Sequence, residues 1–245
     1  MMRTRRHPTM PLTVEVRVIR LATFLIGLSF LAGVGIAYPA QVRTYETLTL
    51  DFRLNHVAVV GDSYTTGTDE GGLGSRSWTS RAFQVLGSRG SRISGSVAAE
   101  GKAGYATPGD HGSVFEDLTP RAVEPDDALV VFFGSRNDQG VDPGLLAGKT
   151  HAALDLARRL APAARLLVIG PPWPTAEVPP SMFLVRDILA GAAGAAGATF
   201  IDPIAEHWFV GRPDLIGADG VHPNDAGHQY MADKIAPLIR TQLST

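Results

Sequence analysis

Five short apolar runs are spread over residues 56–201, and helical stretches separate them. The runs are 56–60 (HVAVV), 92–99 (RISGSVAA), 128–133 (ALVVFF), 165–169 (RLLVI) and 198–201 (ATFI). Most are continuous in apolar character, with no polar alternate at every second residue. A strand of that kind belongs in a sheet covered on both faces. Between the runs, 77–86 reads as a helix capped by Ser77. Residues 143–160 form a second helix, opening at Pro143 and rich in Ala, Leu and Arg. Residues 181–193 read as a third, its end blurred by Gly191, Gly194 and Gly197. Residues 224–243 close the chain, with Asn224 or Asp225 as N-cap and Tyr230, Met231, Ile235, Leu238 and Ile239 on one stripe. Strand and helix alternating in this way predict a three-layer α/β/α sandwich around a central parallel sheet of about five strands.

The N-terminus is of a different kind. Arg3, Arg5, Arg6, Arg17 and Arg20 precede residues 21–38, LATFLIGLSFLAGVGIAY, which carry no charge. A run apolar on every side is not the surface helix of a soluble domain. Its length suits a membrane anchor at the short end, or a cleaved signal segment with 35–37 (Gly-Ile-Ala) as the small-x-small site. Arginines ahead of it keep the N-terminus in the cytoplasm and place the rest outside. The expected organisation is a basic cytoplasmic segment 1–20, an anchor or signal segment 21–38, an arm 39–55 and a domain 56–245. This predicts an extracytoplasmic protein that meets the membrane through its N-terminal helix.

Composition narrows the chemistry. With 44% apolar and 19% charged residues, the chain has the makings of a packed core. A formal net charge of −2 gives no basic field for nucleic acid. The absence of cysteine removes disulfides, thiolate metal sites and cysteine nucleophiles.

In open parallel sheets, ligands bind beyond the carboxyl ends of the strands. The segments found there are Gly61-Asp62-Ser63-Tyr64, Gly101-Lys102-Ala103-Gly104-Tyr105 and Gly134-Ser135-Arg136-Asn137-Asp138. Ahead of the last helix stands Asp219-Gly220-Val221-His222-Pro223. A serine hydroxyl is a weak nucleophile until a base takes its proton. Histidine suits that task, with an ordinary pKa of about 6.5. A carboxylate fixes its tautomer, and Asp and His three residues apart can share one turn.

In order and spacing, these four segments resemble the signature blocks of the SGNH hydrolases, the GDSL esterase/lipase family, over about residues 56–243. The resemblance implies a flavodoxin-like fold. It implies Ser63 as nucleophile, with His222 and Asp219 as base and acid. It also implies an oxyanion hole from the N–H groups of Ser63 and Gly104 and the side-chain amide of Asn137. Two departures stand out. The third block is usually Gly-x-Asn-Asp, whereas two residues separate Gly134 from Asn137. Either Ser135 takes the glycine's place or the loop is one residue longer. The second block has Glu100-Gly101-Lys102 where an asparagine often stands.

Asp62, Arg136 and Trp173 are candidates for a substrate pocket, Trp173 as an aromatic wall or else as loop packing. Residues 71–74, Gly-Gly-Leu-Gly, lack the Lys-Ser/Thr of a phosphate loop and read as a flexible loop. His7, His56, His111, His151, His207 and His228 show no metal-ligand spacing and read as structural or surface residues. No metal or cofactor is implied. The expected activity is hydrolysis of carboxylic esters, of envelope-glycan O-acyl groups or short-chain lipids. The alternatives are an acyltransferase with the same triad and a non-catalytic glycan-binding module.

Overall fold

The computed structural model describes residues 54–244, so the segments 1–20 and 21–38 and nearly all of the arm lie outside the described residues. Five strands form one sheet: β1 (Asn55–Gly61), β2 (Ile93–Ala99), β3 (Asp127–Phe133), β4 (Arg165–Ile169) and β5 (Thr199–Ile201). Their spatial order is β2-β1-β3-β4-β5, and every pairing is parallel. That is the doubly wound order of the flavodoxin-like folds, with its topological switch between β1 and β3.

Alternate residues of a strand point to opposite faces, and both faces here are dry. Ala58, Val60, Val130, Phe132, Leu166 and Val168 pack on one side. Helices α3 (Phe115–Ala122), α4 (Pro143–Leu160) and α5 (Pro180–Ala195) cover them. Val57, Val59, Leu129, Val131, Leu167 and Ile169 pack on the other. There they meet α2 (Trp78–Ser88) and α6 (Asp225–Ser244). The continuous apolar strands therefore mean what the sequence suggests: a middle layer between two helical layers.

The sequence reading missed α3. Phe115, Leu118, Thr119 and Ala122 are its buried face, at helical spacing. Pro120 lies inside it, and its N-cap, Val114, makes no side-chain hydrogen bond. The Asp117 carboxylate instead accepts from the Val114 N–H, at 3.1 Å. Both usual start and stop signals were thus misleading.

The register sets the site. Gly61 pairs with Ala99 on one side and Phe133 on the other, and Phe133 pairs with Ile169. The next residues, Asp62, Glu100, Gly134 and Gly170, therefore leave the sheet along one edge.

Candidate active site

The chain leaves β1 into a single helical turn, α1 (Ser63–Thr66). Asp62 caps it, its Oδ1 accepting from the Tyr64 N–H at 2.9 Å. Gly61 is required there: a Cβ would collide with the Thr65 side chain and stand 3.2 Å from the Phe133 carbonyl. Ser63 sits at the first helical position, where backbone N–H groups have no partner within the helix. Its N–H has no acceptor among the described residues.

Across from it, Asp219 organises the turn that carries His222. Its Oδ1 accepts from the N–H of Val221 (2.8 Å) and of His222 (2.9 Å), while Oδ2 lies 2.5 Å from His222 Nδ1. His222 Nε2 then lies 3.0 Å from Ser63 Oγ. Partial burial raises the Asp219 pKa, but the hydrogen bonds from the His222 ring, His222 N–H and Val221 N–H outweigh it and hold the carboxyl at about 2. Two contacts fix this turn from outside. The Tyr64 hydroxyl donates to the Val221 carbonyl at 2.5 Å, and Glu70 accepts from the Ala218 N–H at 2.7 Å. Asn224 caps α6, accepting from the N–H of Ala226 and Gly227.

The loops after β2 and β3 are joined by Asp138, a residue with no role in the sequence reading. The fully buried Asp138 carboxylate accepts from the N–H of Tyr105 (2.7 Å), Ala106 (3.0 Å) and Thr107 (2.8 Å), and also from the Ser135 hydroxyl. Asn137 donates through Nδ2 to the Ala103 carbonyl at 2.9 Å, which aims its amide at the second loop and leaves one amide proton over. Gly104 packs against Asp138, which a Cβ would strike. Its N–H, however, goes to the Thr107 carbonyl at 2.8 Å. The expected oxyanion donor is therefore already engaged, because the 104–107 segment folds back on itself.

The other sequence candidates also need correction. Asp62 is 1% exposed and serves as a cap, not as a pocket wall. Burial is the main reason its pKa is pushed up, to about 7, with the Asp138 charge adding to it and the Tyr64 N–H opposing it. Arg136 lays its guanidinium 4.4 Å from the centre of the Trp173 ring. Trp173 itself lines a separate pocket of about 160 Å³ with Phe183 and Arg186. Neither Arg136 nor Trp173 lines the cavity at Ser63.

That cavity, about 620 Å³, opens beside Ser63 and His222 on the β2 side of the sheet. Thr66, Thr68, Lys102, Asp110, His111 and Arg121 surround it. His111, which reads from the sequence as structural or surface, is brought here by the loop 103–114. Lys102 has φ +63°, a left-handed backbone that costs a non-glycine residue roughly 1–3 kcal/mol. An ion pair with Asp110 at 2.7 Å and a hydrogen bond from the Asp110 N–H to the Gly101 carbonyl hold the turn in place. The 71–74 loop is tied down as well. The Gly72 N–H donates to Asp225 at 2.9 Å, and a Cβ on Gly72 would enter the His228 ring. His228 is buried, and burial depresses its pKa to about 4. It is thus neutral and able to accept from the Trp78 N–H at 3.2 Å. Among the described residues no group of three or more His, Asp or Glu side chains could hold a metal ion.

The chain is similar to known proteins. Residues 59–230 match the family of GDSL-like lipases and acylhydrolases. The GDSL lipase Rv0518 of Mycobacterium tuberculosis is 66% identical over 227 residues, covering 91% of this chain and 98% of that protein. Among solved structures, TesA superposes with a TM-score of 0.61 at 22% identity, covering 77% of this chain and all of TesA. A family two carbohydrate esterase from Clostridium thermocellum, in complex with cellohexaose, also has a TM-score of 0.61, at 17% identity. It covers 78% of this chain and 65% of the esterase. At such identities the two structures speak for the fold alone.

Proposed function

We propose, for a chain that belongs to the GDSL-like lipase/acylhydrolase family and is an ester hydrolase, that Ser63 is the nucleophile, His222 the general base and Asp219 the carboxylate that orients it. The observation that carries this is the unbroken line Ser63 Oγ, His222 Nε2, His222 Nδ1, Asp219 Oδ2, at 3.0 and 2.5 Å. Ser63 Oγ attacks the ester carbonyl as its proton passes to His222 Nε2. The tetrahedral oxyanion meets the Ser63 N–H and the spare Asn137 amide proton. Each such donor is worth about 2.7–4 kcal/mol in the transition state. His222 then protonates the departing alcohol oxygen. Water, deprotonated by His222, releases the acid and restores Ser63. The ionised Asp219 stabilises the imidazolium at both stages.

The arginine-flanked, charge-free segment 21–38 supports an extracytoplasmic domain held at, or released from, the membrane. There the substrates in reach are O-acyl groups of envelope glycans and short-chain lipid esters. The test is hydrolysis of p-nitrophenyl acetate by the full chain, with fluorophosphonate labelling. Ser63→Ala should lose at least 10³-fold in kcat, as removal of a nucleophile does, together with all label. A labelled, active Ser63→Ala variant would show that another residue is the nucleophile.

A further inference from the structure

We infer that the cavity beside Ser63 is the alcohol site and that it takes a neutral saccharide, so that the substrate is a carbohydrate bearing a short O-acyl group. This rests on the hydrolase proposal and goes further on three observations.

The first is the lining. Among the described residues around the roughly 620 Å³ cavity, Ala99 is the one apolar residue type; the others carry hydroxyl, charged or imidazole groups, apart from two glycines. A fatty acyl chain gains about 0.8 kcal/mol for each CH₂ it buries, but only against apolar walls. Among the described residues that line this cavity there is no long aliphatic or aromatic side chain. A sugar presents several hydroxyl groups, each both donor and acceptor, which is what Thr66, Thr68 and His111 can meet.

The second is the state of the charges. Lys102 is paired with Asp110 at 2.7 Å. The buried Glu100 carboxylate accepts from the N–H of His111 (2.5 Å) and Ser113 (3.2 Å), and these bonds hold its pKa low against burial. Arg121 donates to the Ser113 hydroxyl at 2.9 Å, beside Glu100. Lys102 and Arg121 thus balance Glu100 and Asp110. The cavity has polar groups in number but no surplus charge for a uronate or a phosphate.

The third is construction. Lys102 holds a left-handed backbone, and Asp110, whose N–H bonds to the Gly101 carbonyl beside it, also forms part of the wall. Strain held in place at a cavity wall is a mark of a shaped site. In the reaction the acyl carbon–oxygen bond to the sugar breaks, the sugar oxygen takes its proton from His222, and water converts the Ser63 ester to free acid.

The experiment measures kcat/KM of the full chain on four esters: O-acetylated cello-oligosaccharides, O-acetylated oligogalacturonate, p-nitrophenyl acetate and p-nitrophenyl palmitate. The acetylated neutral oligosaccharide should exceed both the acidic one and the palmitate by at least tenfold. Arg121→Ala should raise KM for it about fivefold or more at constant kcat, the mark of lost ground-state binding. Preference for palmitate or for the oligogalacturonate overturns the inference. So does turnover of p-nitrophenyl acetate with no acetate released from either oligosaccharide, which leaves the hydrolase standing. Failure on p-nitrophenyl acetate as well, without fluorophosphonate labelling of Ser63, removes the hydrolase proposal and this inference together.

Discussion

Tyr64→Phe deletes one oxygen atom and nothing else. That oxygen donates at 2.5 Å to the Val221 carbonyl, between Asp219 and His222. The ring is 2% exposed, wedged edge-on against Phe133 and Phe209, and it stays put in the variant. The residue after the proposed nucleophile therefore holds down the turn that carries the proposed base. Leaving the part-buried carbonyl without its donor costs about 1–2 kcal/mol. For a domain of this size that lowers Tm by roughly 2–8 °C, at 2–4 °C per kcal/mol. The kinetic cost is the larger one. A turn free to drift by 1 Å misaligns His222 Nε2 and Ser63 Oγ, and such a misplacement can cost about 10²-fold. We expect kcat on p-nitrophenyl acetate to fall about 10- to 100-fold with KM within twofold of the parent. Tyr64→Leu, with the leucine that the family's name places after Gly-Asp-Ser, should fall at least as far. A Tyr64→Phe enzyme with parental kcat, whatever its Tm, refutes the positioning role and leaves the hydroxyl a packing detail.

Two further substitutions probe the carboxylates behind the site. Asp62 has a folded pKa of about 7 against an ordinary 3.8. Between those values the unfolded chain has lost the proton that the folded chain keeps. Stability therefore falls as pH rises from about 4 to 7, by no more than about 4 kcal/mol. Asp62→Asn keeps the acceptor for the Tyr64 N–H and does not ionise. Its stability relative to the parent, from urea melts, should rise between pH 4 and 8; an equal difference at both ends would sink the assignment. Asp138→Ala strands three backbone N–H groups and the Ser135 hydroxyl. It should cost more than about 3 kcal/mol and loosen Asn137 with it. A variant within 1 kcal/mol of the parent would show that the two loops hold themselves together.

The sequence was legible where one residue type does one job. Val57 to Val60 and Leu129 to Phe133 can only be strands inside a sandwich, and their lengths fix the shared edge. Asp219 and His222 are close in sequence, so one turn delivers both, and Ser63 follows a strand end. What could not be read were groups whose role depends on a folded loop. The Gly104 N–H is spent on Thr107, three residues on, a fact of backbone path and not of residue type. Trp173 follows β4, two strands away from β1, so sharing an edge with Ser63 did not bring it into the same cavity. His111 and Asp138 reached the site through long-range contacts that no local spacing encodes. Asp138 did carry a signal, since an acid directly after Asn137 at a strand end is a ready acceptor for stray N–H groups.

Asp62 caps the turn of Ser63 and Asp219 meets the His222 ring, and both accept hydrogen bonds from backbone N–H groups, yet their pKa values lie near 7 and near 2. Asp219 accepts three hydrogen bonds, from the His222 ring and the N–H groups of His222 and Val221, against one from the Tyr64 N–H at Asp62. Water adds to the difference: Asp62 is 1% exposed, whereas the Asp219 side chain is 35% exposed. Burial makes a charge costly at Asp62, while solvent and the His222 ring make it cheap at Asp219. The division suits the chemistry. A negative charge is wanted behind His222, where a positive one develops. On the proposed mechanism an oxyanion develops at Ser63, and a second negative charge beside it would raise the barrier. Below about pH 7 Asp62 is a neutral cap, so the nucleophile's turn is held by a carboxyl group that does not oppose the reaction it serves.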